Sequence, residues 1–167
     1  MTEEVKRNYL EINSLQDLRE GDIPSTDYSL SLIDPINFQL NKFFYKNIGK
    51  NHKWIDRLIW SEQKWIEYVS SKNVKGYVFK CKDDLVGFFE LIFHAENKEI
   101  EIAYFGILEE FQNKKLGSYL LSEAIKISFK NKIDRVWVHT CSLDHKNALN
   151  NYLARGMKIF KTETLNI

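Results

Sequence analysis

The stretch Gln112-Asn113-Lys114-Lys115-Leu116-Gly117 sets side-chain amides, two ammonium groups and a glycine directly ahead of an amphipathic run. A polar, basic turn opening a helix presents unpaired backbone N–H groups and the positive end of the helix dipole, which is chemistry for holding an anion, phosphate above all. The usual glycine-rich phosphate devices are excluded. A dinucleotide fingerprint needs three glycines where this loop has one, and no Gly-Lys-Ser or Gly-Lys-Thr is present. A second group, His139, Cys141 and His145, invites a nucleophile or metal reading. No third ligand sits at a usual spacing and Cys four residues before His is not a dyad pattern, so these read as packing or acceptor-site residues.

The elements that must position the loop are legible around it. In EIEIAYFGI, Ile100, Ile102 and Tyr104 alternate with Glu99, Glu101, Ala103 and Phe105, the pattern of a half-buried or central strand. After the loop, Leu116, Leu120, Leu121, Ala124, Ile125 and Phe129 recur at spacings of three and four and predict a helix packed on a sheet. RVWVHTC then reads as a strand, residues 145–155 as a helix that Gly156 closes with Asp144 as its cap, and MKIFKTETL as a last strand. Strand, helix, strand implies a parallel pair at the loop, with a ligand crevice at its carboxyl end.

Upstream, GYVFKCK and LVGFFELIF form a hairpin around Lys82-Asp83-Asp84, so three antiparallel strands precede the loop. The first third reads as mainly helical. Tyr9 to Ile12 is a short apolar segment and Tyr28 to Ile33 a first strand of the sheet, with turns between them. Asp34-Pro35 then starts a helix carrying Phe38, Leu40, Phe43, Phe44 and Ile48 as far as Gly49. A second helical stretch begins near Trp54, and a third follows Ser61 with Trp65, Ile66 and Val69 inside. Trp54, Trp60, Trp65, Phe43, Phe44 and Tyr45 either line an aromatic acceptor pocket or fill the core, the commoner role.

The 167 residues, 44% of them hydrophobic, suffice for one domain with a proper core. A formal charge of +1 provides no bulk attraction for nucleic acid or an anionic membrane. The opening MTEEVKRNYLEIN lacks the apolar run of a signal peptide and no run of membrane-spanning length occurs, so a cytoplasmic protein is expected. Cys81 and Cys141 are far apart in sequence and outside any C-x-x-C pair, which argues against a disulfide framework and a structural zinc site; no metal is expected.

The order of elements, with Gln112-x-x-Lys115-x-Gly117 and Tyr152 and Gly156-Met157 downstream, resembles the GNAT superfamily of N-acetyltransferases over residues 76–160. The family's loop reads Gln or Arg, two residues, Gly, one residue, then Gly or Ala, and cradles the pyrophosphate of acetyl-CoA. Gln112 and Gly117 match, and Lys115 replaces the first Gly. With φ negative there, the Lys115 ammonium would itself contact phosphate; a positive φ would instead imply strain and weaker binding. The first is the favoured reading.

The resemblance implies a single α/β domain over 1–167, with a mixed, mostly antiparallel twisted sheet, a central splayed parallel pair and helices on both faces. Residues 1–75 would form the acceptor side and 76–160 the acetyl-CoA core. It places Gln112, Asn113, Lys114, Lys115, Gly117 and Ser118 around the pyrophosphate. Phe105, Gly106 and Ile107 fall beside the pantetheine and thioester, and Asn147 on the cofactor side. It also implies Tyr152 as the acid that protonates the departing thiolate.

For the base, Glu101 stands where the histone acetyltransferase branch carries a general base, and a carboxylate flanked by apolar residues has its pKa raised by desolvation. Glu90 or a water are the alternatives, although a buried structural role is the plainer one for Glu90. The implied reaction is direct acetyl transfer from acetyl-CoA to a primary amine of a small-molecule or peptide acceptor, with a homodimer compatible. A non-catalytic acyl-CoA sensor on the same fold is the rival. A longer-chain acyltransferase would need a wider slot by Phe105 and Leu143.

Overall fold

The computed structural model describes residues 3–166; Met1, Thr2 and Ile167 of the expected 1–167 domain lie outside the described residues. In chain order the elements are β1 (Glu4–Ile12), β2 (Tyr28–Leu32), α1 (Phe38–Gly49), α2 (Glu62–Ser70), β3 (Val74–Cys81), β4 (Asp84–His94), β5 (Glu99–Ile107), α3 (Leu116–Ser128), β6 (Arg135–Cys141), α4 (Ala148–Ala154) and β7 (Lys158–Asn166). The strands make one seven-stranded sheet in the order β2-β3-β4-β5-β6-β1-β7. Neighbours are antiparallel throughout except β5 and β6, joined in parallel through the crossover helix α3. This is the mixed α/β sheet that the order of elements predicts.

The period-2 alternation of the central strands sends neighbouring residues to opposite faces. Phe79, Phe89, Leu91, Ile100 and Ile102 pack with Leu120, Leu121, Ala124 and Ile125 of α3. On the other face Val78 and Phe88 pack with Phe44 and Ile48 of α1, and the Phe44 and Phe88 rings stack 4.9 Å apart. Helices therefore cover both faces. Ser61 caps α2 as its sequence position predicts, its hydroxyl accepting from the Lys64 N–H at 3.1 Å.

Four details differ from the sequence reading. Asp34-Pro35 does not open α1; the bond is cis, and the helix starts at Phe38 with the Asn37 side chain accepting from the Leu40 N–H at 3.2 Å. Residues 51–59 form turns instead of a helix, folded back by bonds such as Trp54 N–H to the Gly49 carbonyl. Asp144 does not cap α4, which begins at Ala148 after Asn147; its carboxylate accepts instead from the Thr140 hydroxyl and the Cys141 N–H. The first third is also not mainly helical. β1 is a full strand inserted between β6 and β7, and its charged residues Glu4, Lys6, Arg7 and Glu11 hide it from an apolar-run criterion.

Candidate active site

β5 and β6 are paired only through Glu99, Ile100 and Glu101, opposite Arg135, Val136 and Trp137. β5 then runs on to Ile107 and β6 to Cys141 without pairing to each other, so the sheet splits into a slot whose walls carry free backbone groups. A bulge helps to turn β5. Its ladder with β4 shifts between the Glu90–Tyr104 and Leu91–Ile102 pairs, leaving Ala103 as the extra residue. Around this slot lies a cleft of about 1270 Å³ reaching from the start of α3 to the α1–α2 connection. That exceeds the usual range for one small ligand, roughly 300–1,000 Å³, and leaves room for two.

At one end of the cleft, Asn113 and Lys115 adopt left-handed conformations, φ 64° and 61°, and the backbone N–H groups from Asn113 through Ser118 donate to no group among the described residues. Alternation of right- and left-handed residues gathers these amides into a concave nest, and the α3 dipole adds to its positive potential. The positive φ overturns the favoured reading of Lys115. This side chain sits where the backbone wants glycine, at a cost of roughly 1–2 kcal/mol, and the groups the turn gathers together are its backbone amides. Lys114 also departs from expectation. It does not line the cleft, and its ammonium lies 5.3 Å from the Phe111 ring centroid. Gln112 lines the cleft while its side chain donates to the Ile107 carbonyl at 3.3 Å, fastening the loop to β5.

The remaining expected residues converge on the same cleft. Gly117, Ser118 and Asn147 flank the nest. The Ser118 hydroxyl donates to the Lys115 carbonyl at 2.8 Å, and Asn151 of α4, which sequence reasoning passed over, donates to the Gly117 carbonyl at 3.1 Å. Phe105, Gly106 and Ile107 form the β5 wall. Gly106 is needed for a close approach, since a Cβ there would lie 2.6 Å from the Ile48 side chain. Tyr152 packs its ring 6.3 Å from that of Phe105 and is 6% exposed. Its hydroxyl makes no hydrogen bond among the described residues. Burial, with the Asp144 carboxylate second, pushes the phenol's pKa well above its ordinary value.

The two carboxylates singled out in the sequence are both engaged. Glu101 faces the cleft but is not in an apolar setting, because His94 Nε2 lies 3.0 Å from its Oε1. Glu90 is fully buried, bonded to Asn41 at 3.0 Å, to Tyr68 at 2.8 Å and to Arg57 Nη1 at 3.0 Å. Arg57 went unnoticed in the sequence, though a cation inside the aromatic run Trp54-Ile55-Asp56-Arg57-Leu58-Ile59-Trp60 is itself a signal. Its guanidinium lies 4.2 Å from the Tyr68 and Tyr104 ring centroids and 4.7 Å from that of Trp60. Of the aromatic set, Trp54 and Trp60 line the cleft, Trp65, Phe44 and Tyr45 are core, and Phe43 is on the outer side of α1.

Two bonds strap the α1–α2 connection across the cleft to the loop after β6: Trp54 Nε1–H to Asp144 Oδ1 at 3.2 Å, and a His52 Nδ1 contact with the Leu143 carbonyl at 3.2 Å. Beside them, burial and then Asp144 push the Cys141 thiol pKa up, which disfavours the thiolate. Among the described residues no group of three or more His, Cys, Asp or Glu side chains converges as a metal site, and no helix is long and apolar enough to cross a membrane.

A splayed parallel pair with an amide nest at the head of its crossover helix defines the class. The chain belongs to the acetyltransferase (GNAT) family, whose profile matches residues 38–157. Members of that family transfer acetyl groups, generally from acetyl-CoA, to small-molecule or peptide amines.

Solved structures share the fold. A GCN5-related N-acetyltransferase from Sphaerobacter thermophilus aligns with a TM-score of 0.74 at 14% identity, over 99% of this chain and 52% of that one. A conserved protein of unknown function from Staphylococcus epidermidis aligns at 0.65 and 18% identity, over 98% of this chain and 61% of that one. An aminoglycoside acetyltransferase from an uncultured soil metagenomic sample, in complex with trehalose, aligns at 0.65 and 12% identity, over 78% and 88%. The chain spans about half to three fifths of the length of the first two. No curated protein matches it significantly.

Proposed function

We propose that this chain is an N-acetyltransferase that moves the acetyl group of acetyl-CoA directly to a primary amine, with residues 76–160 as its acetyl-CoA core and residues 1–75 facing the acceptor. The observation that carries the reading is the run of unpaired amides from Asn113 to Ser118 at the mouth of the slot between β5 and β6. Those amides fit a pyrophosphate, and the β5 wall at Phe105, Gly106 and Ile107, which has no partner strand on the slot side and whose Ile107 carbonyl already takes the Gln112 amide, fits an extended amide-bearing arm that pairs along it as an added strand would. Gln112, Gly117, Ser118 and Asn147 complete that side, with Lys114 and Lys115 adding positive charge at longer range.

Chemistry then needs a neutral amine, a polarised carbonyl and a protonated leaving sulfur. The amine nitrogen forms its bond to the thioester carbon and the carbon–sulfur bond breaks. Tyr152 gives its phenolic proton to sulfur and takes back the proton that nitrogen sheds, ending unchanged. Burial keeps that phenol loaded with its proton at any working pH. Glu101, through His94 or a water, is the cleft-lining carboxylate that the family resemblance offers as base. The aminoglycoside acetyltransferase among the structural neighbours supports amino sugars as acceptors to try first. A cytoplasmic location and a homodimer belong to the same reading; the exposed Ile159 and Phe160 on edge strand β7 support the dimer, which light scattering measures.

The test is calorimetric titration with acetyl-CoA, followed by thiol release from acetyl-CoA across aminoglycosides, polyamines, amino sugars and peptides with free amines. Binding together with release on at least one amine is expected, and no binding at millimolar acetyl-CoA overturns the reading. One observation favours a second reading, an acyl-CoA sensor: Glu90 and Glu101 are both tied to protein partners. Binding without turnover on any amine would establish that reading instead.

A further inference from the structure

Glu90 and Glu101, the two carboxylates considered for the base, are both engaged by protein partners. Of the four histidines, His52 contacts the Leu143 carbonyl, His94 is bonded to Glu101, and His145 Nδ1 accepts from the Asn147 N–H. His139 alone has no hydrogen-bond partner among the described residues, and its ring opens onto the cleft. Its place in the fold is specific. Trp137 is the last residue of β6 paired with β5, opposite Glu101, so His139, two residues on and on the same side of the strand, stands where the strands part. The alternating residues Val136 and Val138 turn into the α3 side and are buried. His139 therefore looks out from the opposite face, where the strap of residues 52–54 bounds the acceptor compartment. Tyr152 packs with the α3-side cluster, so the two groups approach the slot from different faces.

We propose that His139 is the general base of the transfer, taking one proton from the acceptor ammonium directly or through one water. The inference rests on the acetyltransferase reading above and replaces Glu101 in that role. His139 accepts the proton at an imidazole nitrogen and becomes imidazolium. The freed lone pair on the amine forms the new carbon–nitrogen bond, and the imidazolium later returns its proton to solvent. One ammonium proton thus leaves to bulk water, one passes to sulfur by way of Tyr152 and one remains on the amide.

The surroundings suit this role. Tyr9 and Arg7 face the ring from β1, the Tyr9 ring 5.5 Å away, and Glu101 on β5, Asp144 in the loop after β6 and Glu163 on β7 act on its charge. The side chain stays open to solvent on the cleft side, and partial desolvation by the surrounding strands, with Arg7 second, outweighs the three carboxylates and lowers the pKa below its ordinary 6.5, so the neutral ring able to accept a proton is favoured at physiological pH.

The experiment measures thiol release from acetyl-CoA against pH, with the best amine of the panel and with water alone as acceptor, for the wild type, His139→Gln, His139→Ala and Glu101→Gln. Acetyl-CoA affinity and circular dichroism of each variant show that fold and cofactor site survive. In the wild type, kcat/KM should fall as pH drops through a value below 6.5, since the protonated ring cannot accept. His139→Gln should lose about a hundredfold or more in kcat and with it that acid limb, as removal of a general base does. Added imidazole should restore part of the rate to His139→Ala, which a purely structural role does not allow. Glu101→Gln should keep the limb. An unchanged rate and limb in His139→Gln, or loss of the limb in Glu101→Gln, overturns His139 as the base and leaves the acetyltransferase reading standing. A wild type that binds acetyl-CoA but releases no thiol with any amine or with water overturns both.

Discussion

Arg57 and Glu90 form an ion pair in the interior, Nη1 to Oε1 3.0 Å, with side chains 6% and 0% exposed. Asn41 and Tyr68 satisfy the remaining carboxylate capacity and aromatic rings close over the guanidinium. This pair pins the α1–α2 connection to β4 and so fixes that wall of the cleft. Arg57→Ala should cost about 3–5 kcal/mol, because it leaves a buried carboxylate uncompensated. Arg57→Met with Glu90→Gln should cost clearly less than Arg57→Ala alone. Urea unfolding of the single and double variants checks this, and equal losses would mean that the pair carries no such penalty.

Lys115→Gly should stabilise the protein by about 1 kcal/mol, since glycine adopts φ 61° without steric cost. If the amides hold the pyrophosphate, acetyl-CoA affinity should be kept or improved. Thermal melting and calorimetric titration read the two effects separately, and a large loss of affinity would return the ammonium to the site.

Tyr152→Phe should lower kcat roughly a hundredfold while leaving the acetyl-CoA dissociation constant near that of the wild type, as expected for a group that acts on the leaving sulfur. Equal turnover would remove Tyr152 from the mechanism.

Tyr68, Tyr104 and Tyr152 all have phenol pKa values raised above 10, in each case chiefly by burial. A folded-state pKa above the unfolded one means that the folded chain holds its protons longer. Stability is therefore fully present below pH 10 and falls as the pH rises beyond it, where the unfolded phenols ionise first. Denaturation midpoints measured from neutral to strongly alkaline pH should stay level and then drop, and Tyr152→Phe should soften the drop.

Asp144→Ala should destabilise by about 2–3 kcal/mol through loss of charge-assisted bonds to Thr140 and Cys141, and should release Trp54 from the strap. Hydrogen exchange should quicken in residues 50–60, and KM for the acceptor should rise more than KM for acetyl-CoA.

Local patterning carried much of this protein. The β5–loop–α3 unit, the hairpin of β3 and β4, the Ser61 cap and the parallel pair were all legible, because alternation, helical spacing and the crossover rule act over short stretches of chain. Tyr152, Glu101 and most of the loop residues also fell where the cleft was found. What only the tertiary structure decided depends on distant segments meeting. β1, with its mixed charges, becomes a strand because β6 and β7 flank it. The φ of Lys115 is set by how the loop closes between β5 and α3, not by lysine's own preference. Glu90 became structural because Arg57 reaches it from 33 residues away, Glu101 is engaged by His94 across the β4–β5 hairpin, and His139 has no hydrogen-bond partner among the described residues. A pairing of charges and protons is a property of space, and a single chain read in order does not contain the distances that settle it.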